Sequence, residues 1–167
     1  MNHMTQSRRV ISEMERYGGD VLHSGIMQEA FEQTHHRHST VGIHTLRVTR
    51  ASIRIGHVLE KLHIPVDIPA VITGSLCHDL GIIGRNGKYA SNRECFRKHA
   101  SDSVTVAKEL LDDLSEKTEA IIERHMWPMN RSEAPNYIEG FIVSTADKYG
   151  SVVDFFKGVR GGGRNRA

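Results

Sequence analysis

His44, His78, Asp79, His99, His125 and Asp147 are the residues of this 167-residue chain whose types could do chemistry together. His44 stands in "VGIHTLRVT", and His78 and Asp79 sit side by side in "SLCHDLGII". His99 lies in "FRKHASDSVTVAKEL", His125 in "AIIERHMWP" and Asp147 in "FIVSTADKYG". Each is near a helix end or one helical turn from an apolar neighbour, and none has a partner close in sequence. Neutral imidazoles and carboxylates that converge from separate helices make a divalent-metal site. Imidazole suits Zn, Fe, Mn and Ni, and carboxylate suits the harder ions. Asp79 sharpens the point. It falls at helical spacing from Ile68, Val71, Ile72, Ser75 and Leu76, so it is expected to face inward. A buried carboxylate is costly unless something positive compensates it, and a bound cation inverts that cost.

Helices must position these residues. Thr5 to Tyr17 reads as a first helix closed by Gly18-Gly19, and Ser24 to Gln33 as a short second one. His44 to Leu62 carries the clearest apolar stripe, with Val48, Ile55, Leu59 and Leu62. Asp67 to Leu76 follows, with Asp67 placed to cap it, Pro69 in its first turn and Gly81 placed to stop it. Further helices are expected from about Arg93 to Leu111 and from Ser115 to Met126, the latter stopping before Pro128. A last one starts after Pro135 and carries Ile138, Phe141, Ile142, Tyr149 and Val152. No alternating run of strand length survives comparison with the helical template. The expectation is a single compact all-α domain over residues 1–157 with a metal site between helices. Its motif-bearing part is 36–150, and the Gly/Arg-rich tail 158–167 is expected to be flexible.

The net charge of +2 is too mild to argue for a nucleic acid polymer or an anionic membrane. No apolar stretch reaches the length of a membrane span, and the N-terminus has no apolar signal core. Cys77 and Cys95 form no CxxC pair, which suits a reducing cytoplasm. Histidine is the oddity: eleven of them, against 22 Lys and Arg combined. The run His35–His38 in "THHRHST" reads as a solvated loop, though His36 or His38 could line the pocket. His57 and His63 are expected at the surface, Cys77 as a small buried residue, and Met126 and Trp127 in the core or at a pocket rim. The helices before His36 could serve a homodimer.

The order His…His-Asp…His…His…Asp resembles the HD-domain superfamily of metal-dependent phosphohydrolases. "IHTLRVT" is similar to the family's opening "H-s-x-x-V" helix and "LCHDLG" to its "LLHDIG". "IIERHMWP" is similar to its "I-x-x-H-H/M" segment and "IVSTADKY" to its closing "ADK" helix. The resemblance implies that His44, His78, Asp79 and Asp147 hold a first metal. It also implies that His99 and His125 complete a second, with Asp79 the catalytic bridge between two divalent transition-metal ions (Fe, Mn, Zn or Ni). Two such ions could activate a water against a phosphoryl group. Lys148 and then Arg47 are the expected phosphate contacts, while Arg97 and Lys98 read as a solvated face. The expected substrate is a nucleotide or another small phosphorylated metabolite, cleaved at a phosphate ester or anhydride. A di-iron oxygenase and a non-catalytic metal sensor are the competing readings. Two departures stand out. No GYP signature follows, with Met126 where the cyclic-dinucleotide phosphodiesterases carry a further histidine. The lysine often found soon after the family's His-Asp-x-Gly is also missing, and Lys88 or Arg85 could replace it.

Overall fold

The computed structural model describes residues 3–36, 39–129 and 133–161, with side chains at 4–34, 39–129 and 133–153. In chain order, α1 (His3–Leu22) and α2 (Gly25–Glu32) precede a short antiparallel pair, β1 (Thr34–His36) and β2 (Ser39–Thr40). Then come α3 (Val41–Lys61), α4 (Ile68–Cys77), a 3₁₀ turn (Leu80–Ile82) and α5 (Arg85–Lys88). α6 (Asn92–Leu110), α7 (Glu116–Arg124) and α8 (Ile138–Gly161) complete the domain. The all-α expectation holds. No helix among the described residues is long and apolar enough to cross a membrane.

α4 is the hub. It packs against α1, α3, α7 and α8, and Val71, Ile72, Leu76 and Cys77 have no exposed surface. A helix surrounded on every side must be apolar all round, which is why "IPAVITGSLC" reads as nearly continuous hydrophobic sequence. Fully burying each Ile or Leu there contributes about 1.5–3 kcal/mol. Asp67 caps the helix, accepting from the Ala70 amide at 3.1 Å, and Pro69 sits in its first turn. The helices that carry His44, His99 and His125 are capped in the same way by Thr40, Ser91 and Ser115. These caps fix where each ligand-bearing helix begins, and so the height at which its histidine sits.

Several boundaries differ from the sequence expectation. α1 runs through Gly18-Gly19 to Leu22 instead of ending there. A Cβ at Gly18 would lie 2.2 Å from Leu76 Cδ1, so this glycine is where α1 presses on α4 and is not a stop signal. β1 and β2 were unexpected, and they are too short to show alternation. They bridge α2 to α3, with the Val41 amide donating to Gln33 O at 3.0 Å. Gly81 does not end α4, which closes at Cys77, but lies in the 3₁₀ turn against α6. α8 reaches Gly161, further than the expected tail boundary. Residues 162–167 of that tail lie outside the described residues, as do Arg37, His38 and the side chains of His35 and His36.

His57 is the clearest reversal among the polar side chains. Expected at the surface, it is 5 % exposed, with Nε2 3.0 Å from Glu13 Oε2. Arg9 holds the other oxygen of Glu13 at 2.8 Å. α1 brings that carboxylate across α3, a partnership between distant residues that periodicity along α3 alone does not reveal.

Candidate metal centre

Five structural elements deliver the six candidate ligands to one buried point. His44 is in the first turn of α3, His78 and Asp79 directly follow α4, and His99 is in the second turn of α6. His125 directly follows α7, and Asp147 lies within α8. All are buried, from 0 % exposure at His44, His78 and His125 to 7 % at Asp147.

The imidazoles are oriented by their own helices. His78 Nδ1 donates to Ser75 O at 2.7 Å, His99 Nδ1 to Cys95 O at 2.9 Å and His125 Nδ1 to Ile122 O at 2.6 Å. Each acceptor is a carbonyl one turn earlier, where the helix leaves a lone pair within reach. With Nδ1 held by a carbonyl, each ring turns its Nε2 to the centre, the arrangement by which outer hydrogen bonds orient metal-binding histidines.

Asp79 divides the group in two. Its Oδ2 lies 3.4 Å from His78 Nε2 and 3.9 Å from His44 Nε2. Its Oδ1 lies 3.5 Å from His99 Nε2 and 3.6 Å from His125 Nε2. One carboxylate thus faces two donor sets, His44–His78 and His99–His125, one with each oxygen. Asp147 joins the first set, its Oδ1 accepting from His44 Nε2 at 3.0 Å and lying 3.9 Å from His78 Nε2.

These donors fit cations. The Nε2 atoms of His99 and His125 are 3.2 Å apart, and both rings already donate through Nδ1, so two lone pairs face each other across that gap. His78 Nε2 is buried and has no hydrogen-bond partner among the described residues. Buried nitrogens left in this state are costly unless a proton or a metal ion meets them.

The charges at the centre act differently on each group. Burial disfavours the charged form of His78, but Asp79 and Asp147 outweigh it and push its pKa up to about 9. Burial, reinforced by His78, drives His125 down to about 3. Burial would raise Asp147, yet the hydrogen bond from His44 and the charges of His78 and Lys148 hold its carboxyl well below the usual range. The centre therefore favours ionised Asp147 and neutral His125, the forms a metal needs from them.

A cleft of about 690 Å³ opens from Asp79, His99 and Asp147 towards solvent. Lys148 lines it, but its ammonium donates to His125 O at 2.7 Å and to Asp147 Oδ2 at 2.9 Å. Lys148 is thus tied to a candidate ligand before any phosphate arrives. Arg47 is not among the residues that line the cleft; it sits half-buried on α3. Arg85 does line it, from the segment after Gly84. Of the two proposed replacements for the missing lysine, Lys88 turns instead to Gly81 O at 3.1 Å and Asp102 Oδ2 at 3.3 Å.

The turn that carries Asp79 is held from several sides. The Gly81 amide donates to Ser103 Oγ at 2.9 Å, and Tyr89 Oη donates to Asp102 Oδ2 at 2.5 Å. A Cβ on Gly81 would fall 2.4 Å from His99 O and 2.5 Å from Ser103 N, so only glycine lets this turn lie against α6. Cys77 is fully buried, its thiol pushed by burial up to about 12, which agrees with a packing role. Met126 lines the cleft, and Trp127 packs edge-on to Phe141.

The family model of the HD domain matches residues 41–151. That span begins at the start of α3 and includes all six candidate ligands. No curated protein and no solved structure matches the chain.

Proposed function

The chain belongs to the HD-domain family, a superfamily of metal-dependent hydrolases, and on that premise we propose that it is a metal-dependent phosphohydrolase. Its substrate is a small phosphate ester or anhydride. In this reading His44, His78, Asp79 and Asp147 hold one divalent ion, and Asp79, His99 and His125 hold a second. The observation that carries it is Asp79, which turns one oxygen to each histidine pair from 4 % exposure.

Bound ions would supply Lewis-acid polarisation of a phosphoryl oxygen and a water acidic enough to attack near neutral pH. The chain's own groups do the positioning. The Ser75, Cys95 and Ile122 carbonyls orient three imidazoles, so these rings need not turn before binding. Lys148 braces Asp147 and compensates part of the negative charge that the two carboxylates concentrate. Asp79, with one oxygen towards each histidine pair, would place negative charge between two bound cations.

The test is a panel of phosphorylated small molecules assayed with manganese, iron, zinc and nickel, with metal content measured on the same preparations. Phosphate release that chelation abolishes and added metal restores is expected. A metal-loaded protein inert towards the whole panel would overturn the reading.

A further inference from the structure

The cleft that meets the metal centre is lined by groups of two kinds. Asp79 and Asp147 bring charge to it, and Ile82, Phe96, Met126, Met129 and Val152 make much of its wall apolar. Among the described residues its lysine and arginine lining consists of Lys148 and Arg85. Lys148 is engaged by Asp147 and the His125 carbonyl. The Arg85 guanidinium has no hydrogen-bond or ion-pair partner among the described residues, and neither has the Asn92 side chain.

Asn92, Phe96 and His99 stand at i, i+4 and i+7 on α6 and all line the cleft, so they share one helix face. At about 1.5 Å rise per residue, Phe96 lies about 4.5 Å and Asn92 about 10.5 Å along the axis from His99. Along α6 from His99 towards its start, the cleft lining thus passes Phe96 and then Asn92. Phe96 is 40 % exposed, so its ring is accessible from solvent.

We propose that Arg85, Phe96 and Asn92 form a substrate subsite that selects phosphate monoesters carrying a flat aromatic ring over polyphosphates and polyol phosphates. The proposal rests on the phosphohydrolase reading. Arg85 pairs with the single phosphoryl group, bidentately where geometry allows. Phe96 stacks on the flat ring system, and Asn92 hydrogen-bonds its edge. A polyphosphate brings charges for which the lining offers no second uncommitted Lys or Arg. A polyol phosphate brings no ring for Phe96 to stack on.

The test uses the metal-loaded full chain with adenosine monophosphate, adenosine triphosphate and glycerol phosphate as probes, and equilibrium dialysis of adenosine alone. The monophosphate should exceed both others in kcat/KM by about tenfold or more. Phe96→Ala should collapse the ratio over glycerol phosphate by about tenfold, the size expected for one stacked ring, chiefly through KM. It should also abolish adenosine binding. Arg85→Gln should lower kcat/KM on all three probes while adenosine binding persists. Phosphate release without preference for the monophosphate, or a preference untouched by Phe96→Ala, would overturn the subsite and leave the phosphohydrolase reading standing. Adenosine binding that depends on Phe96, with no phosphate released from any ester, would support the subsite and sink the hydrolase reading.

Discussion

At the scale of single residues, neighbours shift the protonation of His78, His125 and Asp147. His78 is the one that resists: held at about 9 by Asp79 and Asp147, it carries a proton at neutral pH that an incoming metal must displace. Metal affinity should therefore rise with pH up to about 9 and fall as the solution is acidified, by about tenfold per unit for one released proton. Titrations at several pH values check this, and a pH-independent affinity would contradict it. Lys148 belongs to the same scale. Because it braces Asp147 at 2.9 Å, Lys148→Ala should weaken metal retention by about tenfold, the usual effect of losing an outer partner, and lower kcat with it. Equilibrium dialysis of metal against the variant measures that directly, and unchanged retention would return Lys148 to the role of a phosphate contact. All six candidate ligands were legible in the sequence, because their order and helical context are local features. Where the Lys148 ammonium and the Arg85 side chain sit was not legible. Lys148 is adjacent to Asp147 in sequence, but its second contact, the His125 carbonyl, comes from another helix, and Arg85 reaches the cleft by way of a turn.

Among the elements, α4 and the turn that follows it set the position of His78 and Asp79. Asp67→Ala removes the cap of α4 and should cost about 1 kcal/mol, read as a shift in the denaturant midpoint. The same carboxylate adds an acid dependence. Burial would raise its pKa, but the Ala70 amide and Lys117 hold it below the ordinary value. The stability it contributes is therefore present above the unfolded carboxylate value of about 3.9 and is lost as pH falls through the depressed folded value. Wild type should lose more stability than Asp67→Ala over that acid range, and parallel losses would refute the assignment. Gly81→Ala should cost about 1–3 kcal/mol, because its Cβ would meet the α6 backbone and force the Asp79 turn away. Periodicity and capping residues made most helices legible, and Asp67 and Ser115 sit where the sequence reading places helix starts. Gly18 shows the limit. A glycine pair reads as a terminator from one strand of sequence, and only the approach of Leu76 from α4 shows it to be a packing contact. The short β1–β2 link was invisible for a different reason, since two or three residues carry no period.

For the whole molecule, a buried centre fed by α3, α4, α6, α7 and α8 makes metal binding a clamp on the fold. Metal at about a hundred times its dissociation constant should stabilise the protein by about 2.7 kcal/mol, which raises Tm by roughly 5–10 °C at this chain length. A chelator should reverse the shift. The central claim is that Asp79 joins two metal positions, and metal stoichiometry measured by elemental analysis on reconstituted wild type and Asp79→Asn tests it most directly. The substitution keeps the shape of the side chain and removes its charge, so the two cations would lose the anion between them. Wild type should hold about two ions per chain, and the variant should retain far less metal and lose turnover by about a thousandfold. Wild-type protein that never exceeds one ion, or an Asp79→Asn protein that keeps both ions, would contradict the account.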